Sequence, residues 1–172
     1  MNSLALNNPS LSLSRARTWL IAALFVAGNI MLPQICHLIP QGGMIFLPIY
    51  FFTLVGAYAY GWKVGLLTAV VSPLVNSLLF GMPPIAAVPV IETKSVILAL
   101  SAAIVASRSQ RISLPLAALA VAAAAVVGSA FEWAYTGSFM SAVQDFQLGW
   151  PGLLIQVVGG FFAIRAIAAR RA

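Results

Sequence analysis

At 172 residues, with 62% hydrophobic and only 7% charged positions, the chain is far from a soluble globular domain, in which about a quarter of residues are charged. Six helices of about 20 residues would use roughly 120 positions and leave about 50 for connections and tails, which describes an all-α integral membrane protein and excludes an added ATPase module. Nine Lys and Arg against three Asp and Glu give a net charge of +6, but the basic residues fall in ones and twos among apolar runs, a topology signal and not a nucleic-acid surface.

A single transmembrane domain with six spans is predicted. Residues 1–17 read as a cytoplasmic tail, polar and without the basic segment that opens a signal peptide. After Arg15 and Arg17 the first span covers 18–36. The loop His37-Leu38-Ile39-Pro40-Gln41-Gly42-Gly43 forbids a continuous helix. A short second span, 46–60, closes at Gly61-Trp62-Lys63-Val64-Gly65, and a third covers 64–80. Gly81-Met82-Pro83-Pro84 breaks the chain before a fourth span over 89–107, with Pro89 at its first helical position. The basic loop Arg108 to Ser113 leads to a fifth span, 114–135, and a sixth, 150–168. Between these two, Thr136 to Gly149 is a polar connection long enough to be a functional loop.

With the N-terminus inside, Arg15, Arg17, Lys63, Arg108, Arg111, Arg165, Arg170 and Arg171 all fall on the cytosolic side, eight of the nine basic residues. The positive-inside rule thereby assigns both termini to the cytosol. Lys94 is the exception, and the acids Glu92, Glu132 and Asp145 fall on the outer side or in the outer half of the bilayer.

Charges inside a span cost a few kcal/mol and mark function by default. Glu92 and Lys94, two residues apart on the fourth span, point to nearly opposite faces and each need another partner. A span starting at Pro89 puts Glu92 in its first turn. Glu132 needs a donor, which Lys94 or a bound ligand would supply. Trp133 and Tyr135 read either as an interfacial aromatic belt or as part of a ligand site. His37 and Gln41, in the first outer loop, are hydrogen-bonding candidates. Asn76 and Gln156 read as ligand contacts or as interhelical hydrogen bonds, and Asp145 as a lid residue or a solvated loop acid. Ala23 and Ala27 place small residues on one face of the first span. A lone His and a lone Cys36 do not make a metal site. No phosphate-loop, H-E-x-x-H or Gly-x-Ser-x-Gly pattern occurs, so an enzyme is disfavoured and no cofactor is expected.

The segment from Leu32 to Pro84, with Pro33, His37, Pro40-x-Gly42-Gly43, Leu47-Pro48, Gly56-x(4)-Gly61-x(3)-Gly65, Gly81-Met82-Pro83-Pro84 and then Glu92, resembles the substrate-binding S components of energy-coupling factor (ECF) transporters. The resemblance implies a six-span subunit for uptake of a vitamin-like small molecule, working with a transmembrane coupling protein and two ATPase subunits. It further implies a ligand site near the outer face, matched here by His37, Gln41, Glu92, Glu132, Tyr135 and Gln156, and a coupling-protein contact matched by Ala23 and Ala27. The apolar Ile49-Tyr50-Phe51 departs from the polar stretch that related sequences often carry, so the substrate does not transfer by analogy. The rival reading is a self-sufficient ion-coupled transporter or channel, with Glu92, Lys94 and Glu132 along its path.

Overall fold

The computed structural model describes residues 11–109 and 112–171; most of the expected tail, residues 1–10, and Arg111 of the basic loop lie outside the described residues. In chain order the helices are α1 (Ala16–Cys36), α2 (Gly42–Phe46), α3 (Phe51–Tyr60), α4 (Trp62–Phe80), α5 (Val88–Ser109), α6 (Leu114–Thr136), α7 (Phe139–Ala142), α8 (Gln144–Gln147) and α9 (Trp150–Ala169). Five of them, α1, α4, α5 with its leading 3-10 turn, α6 and α9, are long and apolar enough to cross a membrane. Their outward faces stay apolar, with Leu20, Leu24, Leu78, Val126 and Phe162 each more than half exposed. Such a belt is unfavourable in water and matched to lipid, so the chain is a membrane-embedded helical protein.

The second apolar run differs from the continuous 46–60 span expected of it. It is divided into α2, a 3-10 turn at Pro48–Tyr50 and the ten-residue α3. The cause is local: Pro48 disfavours right-handed helix at the residue before it, and Leu47 instead takes φ 46, ψ 46. That left-handed conformation costs a non-glycine residue about 1–2 kcal/mol and turns the chain into the bundle. At 1.5 Å per residue α3 is about 15 Å long, roughly half the hydrocarbon thickness.

A half-length helix inside a bilayer exposes backbone groups that no water can satisfy. Here the protein satisfies several of them. Asn29, fully buried on α1, accepts from the Phe52 backbone N–H through Oδ1 at 3.1 Å and donates to Thr53 Oγ1 at 3.0 Å. It thus caps the start of α3. At the other end Arg171 donates to the Ala59 carbonyl at 2.9 Å and lies 3.8 Å from the centroid of the Tyr60 ring. Between these caps Leu54, Val55, Ala57, Tyr58 and Ala59 are buried, so α3 is the core around which the longer helices pack.

Helices α5 and α6 run antiparallel, meeting where the Lys94 stem packs on Gly128 and where Leu98, Val121 and Ala124 wall one cavity. The buried face of α6 is a row of small residues, Ala117, Ala120, Ala124 and Gly128, while Ala99 of α5 lies against Gly65 of α4. Chain alternation puts Arg15, Lys63, Arg108 and Arg170 at one end of the bundle, here the basic end. Cys36, Phe80, Val88, Thr136 and Trp150 mark the opposite end. The contact between Arg171 and α3 joins two elements at the basic end.

Candidate functional site

The opposite end carries all three acids. Lys94, buried on α5 one to two turns below its start, reaches across to α6 and to the α6–α9 connection. Its ammonium donates to Asp145 Oδ2 at 2.7 Å and makes an ion pair with Glu132 Oε2. Room for the lysine stem comes from Gly128, where a Cβ would lie 2.9 Å from Lys94 Cγ. The donor that Glu132 requires is therefore Lys94, and the long connection, folded into the short helices α7 and α8, brings Asp145 inward as a third partner.

Beside this cluster is a cavity of about 30 Å³. Lys94, Asp145 and Gln156 are its polar walls, Tyr50 its aromatic wall, and Leu47, Leu98, Val121 and Leu153 much of its aliphatic wall. Glu132 stands behind Lys94 and does not line it. Gln156, on α9 and only 2% exposed, has no hydrogen-bond partner for Nε2 among the described residues. A buried amide donor left without an acceptor costs about 1–3 kcal/mol, so this group donates readily to any acceptor that enters the cavity. The strained Leu47 is held here by α9: at Gly152 a Cβ would lie 2.5 Å from the Phe46 carbonyl oxygen, so the backbones touch where only glycine fits.

The other sequence candidates are placed as follows. Gln41 is exposed in a left-handed turn and does not reach the cavity. Trp133 and Tyr135 are more than half exposed and pair with Phe139 and Phe131; Trp133 turns outward because it is about 100° around the helix from its neighbour Glu132, and Tyr135 sits in the last turn of α6. Asn76 is fully buried and already engaged, donating to the carbonyls of Asn29 and Ser72 and accepting from Gln34 Nε2 at 3.2 Å, so its role is interhelical. His37 caps α1 beside Gly43, with Nδ1 buried and unpartnered among the described residues. Glu92 lies away from the cavity. Because α5 begins at Val88 after the 3-10 turn Ile85–Ala87, Glu92 sits in the second turn and not the first, with Oε1 buried and without a hydrogen-bond partner among the described residues. Ala23 and Ala27 are exposed on the outward face of α1.

Of the expected ligand set, Lys94 and Gln156 line the cavity, and Glu132 supports Lys94. Tyr50, Leu47 and Leu153 were not expected there; Leu47-Pro48 was visible as a pattern, but not as a turn that aims two side chains at α9. Among the described residues no three His, Cys, Asp or Glu side chains gather to hold a metal. The chain matches no protein-family model, no curated protein and no solved structure.

Proposed function

We propose that this chain is the substrate-specific binding subunit of an ECF-type importer in a bacterial or archaeal plasma membrane. In this reading the basic end faces the cytosol, and the opposite end captures a vitamin or related micronutrient from outside. A transmembrane coupling protein and two ATPase subunits supply the energy. The observation that carries the reading is the buried cluster of Lys94, Glu132 and Asp145 next to a cavity with an unpartnered Gln156 donor. Charges at this depth are retained when they pair with one another or with a solute.

The cavity as it stands admits about two waters, whereas small-molecule pockets measure about 300–1,000 Å³. Capture therefore requires the connection that carries Asp145 to move outward. An ion path through the bundle is less favoured by the placement of the charges. They gather at one end, and the cavity below them is walled by Leu98, Val121 and Ala124.

The test is mass spectrometry of small molecules released on denaturing detergent-purified protein from cells grown in rich medium. One vitamin-like compound per chain is expected from the wild type, strongly reduced in Glu132→Gln and largely retained in Glu92→Gln. A wild type that releases only lipid would overturn the capture reading. Uptake by the lone protein that follows the membrane potential would favour the ion-coupled transporter instead.

A further inference from the structure

We infer that the captured solute carries a carboxylate, and that this carboxylate takes the place of Asp145 on Lys94. The inference rests on the capture reading and adds the chemistry of its ligand. Three observations converge. First, the charged groups of the cavity wall are one cation, Lys94, and one anion, Asp145, which arrives on the connection and not on a membrane-spanning helix, and the Gln156 amide and the Tyr50 hydroxyl are its neutral polar groups. Second, Gln156 Nε2 is buried without a hydrogen-bond partner among the described residues, so it offers a donor to an acceptor on the ligand. Third, Glu132 lies behind Lys94, outside the cavity wall.

The pairing of Lys94 then selects the ligand. With Asp145 in place Lys94 has two anionic partners, Asp145 in the cavity wall and Glu132 behind it, and the three groups together carry one negative charge. When the connection swings out, Lys94 keeps Glu132 behind it and loses its anionic partner on the cavity side. A solute ammonium would face the Lys94 ammonium there, and a neutral solute would bring no ionic partner to that side. A solute carboxylate restores the pairing that Asp145 vacated. It also accepts from Gln156, through its second oxygen or through the same one. The exchange leaves the buried charge unchanged, so Asp145 returns to water at no electrostatic loss to the bundle. Asp145 thus acts as an internal stand-in for the ligand's acid group and holds the connection closed until a better carboxylate arrives.

The test uses purified full-length protein in detergent, wild type, Asp145→Asn, Lys94→Met and Gln156→Met. Each is incubated with the small-molecule fraction of yeast extract, supplemented with matched acid and neutral pairs: nicotinate and nicotinamide, pantothenate and pantothenol, biotin and its methyl ester. Retained compounds are identified by mass spectrometry after washing. The expected result is retention of an acid, with its neutral counterpart at least about ten-fold weaker. Asp145→Asn removes the competing closed state and should tighten the acid by about ten-fold, the factor expected when a binding-competent state rises from about a tenth of the population to most of it. Lys94→Met should abolish retention. Gln156→Met, which leaves all charges in place and removes an unpartnered donor, should fold as the wild type does and weaken the acid several-fold. Preferential retention of a neutral or cationic compound, or an Asp145→Asn protein that holds the acid no better than wild type, would overturn the carboxylate inference and leave the capture reading standing. Retention of nothing by either wild type or Asp145→Asn would overturn both.

Discussion

Asn29 holds the start of α3 with a single side chain, accepting from the Phe52 N–H and donating to Thr53 Oγ1. Replacing Asn29 by Leu keeps the volume close and removes both side-chain hydrogen bonds, the one accepted from the Phe52 N–H at 3.1 Å and the one donated to Thr53 Oγ1 at 3.0 Å. The lost bonds contribute about 1 kcal/mol each, and the stranded Phe52 donor adds about 1–3 kcal/mol. A total of about 3–5 kcal/mol follows, which for a chain of this size lowers Tm by roughly 6–20 °C. Thermal unfolding of the purified protein in detergent measures it. Thr53→Val, which loses only one of the two bonds, should cost about 1 kcal/mol, and the double variant should cost less than the sum because the two residues share a bond. An Asn29→Leu protein that melts with the wild type would refute the capping role and with it the account of how α3 survives as a half-length helix.

Other consequences are open to measurement. Lys94→Met leaves Glu132 and Asp145 without their cation and should destabilise by about 3–5 kcal/mol, with Glu132→Gln in the same chain recovering part of the loss; an additive double variant would argue that the pair is not coupled. Arg171→Gln takes the bond from the Ala59 carbonyl and the cation from the Tyr60 face, so a loss of about 1–2 kcal/mol is expected in the same melting assay, and an unchanged Tm would refute the seal on α3. In a Cys36→Ser background, a membrane-impermeant maleimide should label Ser138→Cys on intact cells and Ser113→Cys only after permeabilisation; the opposite pattern would reverse the orientation.

The long helices were legible in the sequence, since α6 and α9 begin where Leu114 and Trp150 were expected to begin them and α1 ends at Cys36. Hydropathy sees length and composition, and these five elements are defined by both. The division of the second run was not legible. Its residues are apolar throughout, and what breaks it is the backbone geometry of Leu47 before Pro48. Asn29 is an amide within an apolar run, and its role depends on an N–H from a different element, Phe52. Lys94 and Glu132 stood out because a charge in a span has few explanations. Asp145 did not, because a loop acid is ordinarily solvated and only the path of the α6–α9 connection brings it back to α5. Gln41, Trp133 and Tyr135 lie off the cavity, and the exposure of the two aromatics fits the interfacial belt that the sequence left open beside a ligand role.

The small-residue face of α6 has a mechanical corollary. Ala117, Ala120, Ala124 and Gly128 let a neighbouring helix approach closely but supply no large knobs to lock it in place. A slip of one turn, about 5.4 Å, would put one small residue of that row where the next had been. What such a slip would not survive is the ion pair between Lys94 and Glu132, together with the fit of the lysine stem into the notch left by Gly128. The pair therefore serves as the ruler that sets the axial register of the two helices, and the height at which α6 hands the chain to the connection bearing Asp145 is read off that ruler.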